Sequence, residues 1–229
     1  MFYASVGESI KNPTFTERFG YFDTFIGNPD LSPEEALSYE LGWRRQWFDD
    51  QLQMDFSWFS TDLENEINGF VFDAASGGFT ADNVTGRSER EGIELAARYQ
   101  PGPQFRIDFN YTYLDAEEGT LPGVVVREVR RPQHTVSLNG TYYWSAASIS
   151  ASVVHTGEQQ DDYFPPVPPY QERVTLSGYT LVNLAFSYQV SSQLKVTARV
   201  QNLTDESYEE VFGFRAPGRS LHAGLRYSF

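Results

Sequence analysis

Apolar and polar residues alternate with a period of two through much of this chain, which marks strands with one apolar and one polar face. The C-terminal segment is the clearest case. Leu221, Ala223, Leu225, Tyr227 and Phe229 share one face, and Ser220, His222, Gly224, Arg226 and Ser228 share the other. Just upstream, Leu194, Val196, Ala198 and Val200 oppose Lys195, Thr197, Arg199 and Gln201, and Val182 to Tyr188 alternates in the same way. Phe105 to Tyr113 and Val136 to Trp144 repeat the pattern. Shorter runs do so at Phe2–Val6, Leu37–Trp43, Leu52–Trp58, Ile93–Tyr99 and Ile149–Val153. The pattern predicts about ten strands, and no segment of comparable strength has helical spacing.

The links between these runs are alternately short and long. Short ones fall at 48–51, 100–103, 145–147 and 191–193; long ones run roughly over 8–36, 60–87, 114–134, 155–178 and 203–219. All long links then lie at one edge of an up-and-down sheet. That is the asymmetry of outer-membrane barrels, and a soluble sandwich has no reason for it. Trp43, Trp58, Tyr99, Tyr111, Tyr113, Tyr142, Trp144, Tyr188, Tyr227 and Phe229 lie toward the ends of the apolar faces, where an interfacial girdle belongs. Sandwich-core aromatics would sit nearer mid-strand. The expected fold is all-β: an antiparallel up-and-down transmembrane β-barrel segment of about ten strands. Leu194, Val196, Ala198, Val200, Leu221, Leu225 and Tyr227 face outward, and Lys195, Arg199 and Arg226 face the concave side.

Composition agrees. Aromatics make up 16% of the 229 residues, and cysteine is absent, which removes disulfides, thiolate metal sites and any Cys nucleophile. No stretch approaches 18 consecutive apolar residues, so no transmembrane helix is expected. The net charge of −14 makes nucleic acid a poor partner. The opening MFYASVGES lacks the basic and apolar regions of a signal peptide, which is anomalous for an exported chain.

No catalytic constellation stands out among the three histidines. His155 with Asp161 and Asp162 is the one arrangement to weigh against an outer-membrane protease, and these residues share a single proline-rich loop. Asp161, Asp162 and Glu158 have the oxygen donors of a calcium site without the spacing of an EF-hand, and solvated loop acids are the commoner outcome. No cofactor is expected. Phe22, Phe25, Phe70, Phe72, Tyr163, Tyr170, Phe214 and Arg215 are placed to contact a ligand from the long loops, with plain loop packing as the alternative reading. Arg127, Arg130 and Arg131 are placed for lipopolysaccharide phosphates or an anionic ligand. Asn-x-Thr triplets at Asn83, Asn110, Asn139 and Asn202 carry no weight in a bacterial protein.

Several stretches, in order, resemble the distal half of TonB-dependent receptors. Ser9–Phe15 followed by Gly27-Asn28-Pro29-Asp30-Leu31-Ser32-Pro33-Glu34 is similar to their long loop with "GNPxLxPE", ahead of a strand bearing Glu40. Asn83-Val84 with Arg87–Glu94 resembles the next strand start. Asn202-Leu203-Thr204-Asp205-Glu206-Ser207-Tyr208-Glu209 resembles "NLxDxxYE", and Pro217-Gly218-Arg219 resembles the "PGR" before the last strand. Tyr208 to Gly218 is similar to the vitamin B12 receptor branch. The resemblance implies uptake of a scarce large nutrient, an iron chelate or a corrinoid, by a plugged barrel of about 22 strands. Residues 1–229 would then be its C-terminal part, without the plug and first strands. It also implies outer-membrane lipid and lipopolysaccharide as surroundings, TonB contact through the missing plug, and Leu225, Tyr227 and Phe229 as the address read by the barrel-assembly machinery. A passive porin, an outer-membrane enzyme and a purely structural barrel are the rival readings.

Overall fold

A computed structural model describes residues 1–21, 25–121 and 124–229. Its elements run β1 (Phe2–Lys11), α1 (Phe15–Phe19), β2 (Glu34–Trp47), β3 (Leu52–Glu64), β4 (Ile67–Asp73), β5 (Gly78–Asn83), β6 (Ser88–Gly102), β7 (Phe105–Leu121) and β8 (Val124–Arg127). They continue with β9 (His134–Trp144), β10 (Ala147–Thr156), β11 (Gln159–Tyr163), β12 (Glu172–Leu176), β13 (Tyr179–Gln189), β14 (Leu194–Gln201), β15 (Glu209–Val211), β16 (Phe214–Arg215) and β17 (Ser220–Tyr227).

Ten of these form one antiparallel wall in the order β1-β2-β3-β6-β7-β9-β10-β13-β14-β17, with β8 hanging from β7. Every wall strand lies beside its predecessor in the chain, and each coincides with one of the ten alternating runs. Strands outlast the alternation at the long-link end: β3 continues to Glu64 and β7 to Leu121. In their upper parts Asp62, Glu64, Asp115 and Glu117 take the positions of the apolar face while the buried Leu63 and Ala116 lie on the other, so the alternation loses its phase there.

Turn chemistry explains the short links. Trp144 pairs with Ala147, leaving a two-residue turn in which Ser145 takes a left-handed φ of 48°, as tight hairpins need. Phe48, Asp49 and Asp50 are all left-handed, closed by Gln51 N–H donating to the Phe48 carbonyl at 3.1 Å. Between β13 and β14, the Ser191 hydroxyl accepts from the amides of Gln193 and Leu194. The link expected at 100–103 is shorter than the sequence indicates, because β6 runs on to Gly102 through an irregularity after Tyr99. Pro101, with no N–H to offer, sits in that break of the ladder, where proline is tolerated.

The register sorts the side chains as the alternation predicts. Val196 pairs with Leu225 and Leu194 with Tyr227, while Lys195 pairs with Arg226 and Arg199 with His222. One face therefore carries Phe2, Val6, Leu41, Leu138, Ile149, Leu221 and Leu225, all solvent-exposed. The accessible surface is 14849 Å², whereas a soluble monomer of this mass exposes about 10,500 Å². An apolar face of this extent needs lipid or another apolar surface against it.

The wall has almost no core of its own. The packed apolar cluster, Phe25, Leu31, Ile67 and Ala81 with Phe79 against it, lies in the links at the long-link end. Single turn α1 belongs to the same layer; Thr14 and Glu17 form a capping box across it. Among the described residues no helix is long and apolar enough to cross a membrane, which leaves that role to the strands.

Candidate functional site

The five long links are not independent loops. Three contain hairpins of their own, β4–β5, β11–β12 and β15–β16, and side chains lace each link to the next. Between the first and second links, Ile26 N–H donates to the Phe79 carbonyl at 2.8 Å, and Asn28 Nδ2 donates to the Ala81 carbonyl at 3.1 Å. Asn83 then bonds both ways with the Ser32 backbone, accepting from its N–H at 2.8 Å and donating to its carbonyl at 3.1 Å. Glu34 accepts from the Ile67 amide and pairs with Lys11 at 3.0 Å. From β6, Arg90 joins the second link to the third, reaching Glu66 at 2.8 Å and Glu128 at 2.6 Å.

Asp161 ties the third, fourth and fifth links together. Its side chain is enclosed, and its carboxylate accepts from Arg130 Nε at 2.9 Å, from Phe212 N–H at 2.7 Å and from its own neighbour Asp162 N–H at 2.9 Å. Burial alone would raise its pKa. The two backbone donors and the guanidinium outweigh that and hold the carboxyl below its ordinary value. Around it, Arg173 bonds Asp162 at 2.7 Å and the Arg127 carbonyl at 2.6 Å, and Gln159 donates to the Glu210 carbonyl at 3.0 Å.

Removing the Asp161 carboxylate strands the Phe212 amide and loosens three links at once. Asp161→Ala should cost roughly 1–3 kcal/mol of local stability, the penalty for a buried partner left unmade. Because the folded pKa is depressed, the contribution is complete above the ordinary carboxylate value and is lost as pH falls through the lower folded value. Limited proteolysis within 157–178 and 202–219 checks both: faster cleavage of the variant at neutral pH, and of the parent only in acid.

The motifs that carried the family resemblance turn out to build this layer. Asn202, left-handed at φ 52° and buried, donates to the Glu206 carbonyl and accepts from the Glu206 amide, both at 2.8 Å. Asp205 accepts from Arg219 N–H at 2.7 Å. A Cβ at Gly218 would lie 2.8 Å from an Asp205 oxygen, so a larger residue there would have to push aside the carboxylate that accepts from Arg219. Tyr208 stacks on Tyr179 at 4.2 Å.

The ligand-contact candidates divide. Phe25 is only 7% exposed and packs in the apolar cluster, so it acts as loop packing. Phe22 lies outside the described residues. Tyr163 packs at a tilt against Phe212, ring centroids 5.1 Å apart, and stays partly open; Tyr170, Phe214 and Arg215 are exposed, with Phe214 at 74%. Phe70 and Phe72 stand exposed over Phe79, and Phe70 meets Phe164 of the fourth link at 6.2 Å. Residues from the second, fourth and fifth links thus form an aromatic rim. Sequence reading missed Phe164 and Phe212, which sit among prolines and glycines without periodic context.

Other candidates are separated or occupied. His155 bonds Thr180 on the apolar face at 2.9 Å, while Asp161 is engaged with Arg130 and Phe212, so no acid–base pair forms. Among the described residues no group of three or more acidic or histidine side chains is arranged to hold a metal. Arg130 pairs with Asp161 and Arg131 with Glu128, so two of the three arginines placed for phosphates are spent within the layer.

The profile described as "TonB dependent receptor-like, beta-barrel" matches residues 1–203. The chain belongs to this TonB-dependent receptor barrel family. Among its relatives, the vitamin B12 transporter BtuB of Photobacterium profundum is 29% identical over 99% of this chain and 35% of its own length. BtuB of Vibrio cholerae is 28% identical over 99% of this chain and 34% of its own. The chain therefore spans about a third of the curated relatives it matches. Solved structures share the fold: the pyoverdine outer membrane receptor FpvA of Pseudomonas aeruginosa (TM-score 0.77, 19% identity, all of this chain, 34% of that one) and the copper transporter OprC (TM-score 0.77, 20% identity, all of this chain, 37% of that one). In a TonB-dependent receptor barrel the polar face of the wall turns to the lumen and the apolar face to lipid.

Proposed function

We propose that this chain is the C-terminal wall and loop portion of an outer-membrane receptor that takes up a scarce large nutrient, a corrinoid or a metal–siderophore. The observation that carries it is the laced loop layer with its aromatic rim, standing on a wall whose relatives include vitamin B12 transporters. Five separately waving loops would lose much entropy on gripping a ligand. A layer already tied together loses less, which favours tight capture from dilute solution. Aromatic faces suit a flat macrocycle or an aromatic chelator.

In this reading β1 and β17, each paired on one side only, meet the remaining strands of a larger barrel, since backbone groups left unpaired in lipid cost several kcal/mol each. A plug fills the lumen, and TonB supplies the energy to move it. Lipopolysaccharide surrounds the loops.

The test is uptake. The full-length protein in a receptor-null strain should accumulate cyanocobalamin or a ferric siderophore, and only with TonB intact. Residues 1–229 alone should restore nothing, because two open edges remain. Uptake that survives loss of TonB would leave the passive porin reading standing instead.

A further inference from the structure

The loop layer is rich in acids and short of free cations. Outside the wall strands, the five long links hold fifteen carboxylates against eight arginines, with no lysine or histidine. Six of those arginines are spent within the layer. Arg87, Arg130, Arg131 and Arg173 pair with Asp62, Asp161, Glu128 and Asp162 in turn. Arg18 donates to the Leu31 carbonyl at 3.0 Å, and Arg219 to the Leu203 carbonyl at 3.3 Å. Arg127 and Arg215 are exposed, and among the described residues neither side chain has an ion pair or hydrogen bond. Each still sits opposite a glutamate in its ladder, Arg127 across from Glu117 and Arg215 across from Glu209. Asp30, Glu158 and Glu172 are exposed carboxylates that no described cation or donor meets.

The aromatic rim stands in this acidic setting. Phe70 stacks on Phe79 with centroids 4.2 Å apart, and meets Phe164 edge-on at 6.2 Å. Phe72 stands edge-on to Phe79 at 5.7 Å, and Glu172 pairs with Tyr163, the neighbour of Phe164. Among the described residues the one cation over a ring is Arg45 on Trp47, at the short-turn end of the wall. No arginine lies over the rim. The face of an aromatic ring carries the negative part of its quadrupole, so it attracts cations and repels anions. An anionic chelate would need guanidinium groups beside those rings. These links have spent theirs on one another.

We propose that the ligand received by this rim carries no net negative charge: a neutral corrinoid, or an uncharged or cationic metal chelate, and not a polyanionic catecholate complex. The proposal rests on the receptor reading and narrows its substrate class. The rings offer contact area to a flat or apolar face, and the surplus of carboxylates draws in a cationic chelate. A polyanion meets like charge on arrival, which is discrimination by repulsion of the wrong ligand.

The test titrates the full-length protein in detergent with three probes: uncharged cyanocobalamin, cationic ferrioxamine B and trianionic ferric enterobactin. Calorimetry should show saturable binding of the uncharged or the cationic probe, and of the trianion about a hundredfold more weakly or not at all. Phe70→Ala should weaken the bound probe about tenfold, the upper end for one lost aromatic contact, while Tyr142→Ala in the girdle leaves it unchanged. Heat-shifted gel mobility confirms that each variant is folded. Trianion binding as tight as that of the other probes, no binding of any of the three, or full affinity in folded Phe70→Ala would overturn the proposal. TonB-dependent uptake is measured separately. Uptake of the trianion alone would sink this proposal and leave the receptor reading standing; tight cyanocobalamin binding without TonB-dependent uptake would do the reverse.

Discussion

Arginine in place of Leu225 should lower stability in a bilayer by about 2–4 kcal/mol, the scale for a cation near the middle of a barrel's lipid face. Leu225 is 77% exposed, pairs with Val196 and lies within β17, two residues before its end at Tyr227 and four before Phe229. Nothing in the protein covers it. In water the leucine would be a liability and the arginine harmless; in lipid the order reverses. Urea titration of the full-length protein in vesicles measures the effect. The partner substitution Arg226→Leu changes a side chain of the other face, so a gain in stability there with no loss for Leu225→Arg would mean that the two faces have been assigned the wrong way round.

Deleting Phe229 should cut insertion into the outer membrane sharply, whereas Tyr142→Ala should matter much less. β17 ends at Tyr227, one pair short of the alternation, and Phe229 extends past it with its ring 5.2 Å from Tyr227. Ser228 N–H donates to the Gln193 carbonyl at 2.9 Å, which holds this tail beside the last short turn. With Leu225 and Tyr227, also exposed on the apolar face, Phe229 gives a free-edged amphipathic strand that an assembly factor can recognise by adding a strand of its own. Tyr142 has strands on both sides and stacks on Trp144 at 5.7 Å, so it offers only girdle contacts. Equal amounts of the two variants in outer-membrane fractions would reduce Phe229 to a girdle residue.

The wall was legible in the sequence because a half-buried strand writes its geometry as alternation, and Lys195 against Leu194 suffices to fix a face. The hairpins above it were not. β11 reads Gln-Gln-Asp-Asp-Tyr, with no apolar partner at any second position, and its pairing with β12 becomes visible only in three dimensions. Asp161 is the sharpest case. As a residue beside another aspartate it looked like half of a cation site. Its role depends on an amide 51 residues away, at Phe212, and no spacing rule reaches that far. The basic pairs of β14 and β17 lie between these extremes: alternation turned each residue inward, and only the register set Lys195 against Arg226.

The wall's hydrogen bonds also decide how it bears force. Ladder bonds of an antiparallel sheet run across the strands, so a pull along the lumen loads all eight pairs between β14 and β17 in shear at once. A sideways pull on the chain end at Phe229 loads them one at a time, as a zipper opens. A wall built this way can withstand something being dragged through it, while its last strand remains easy to peel.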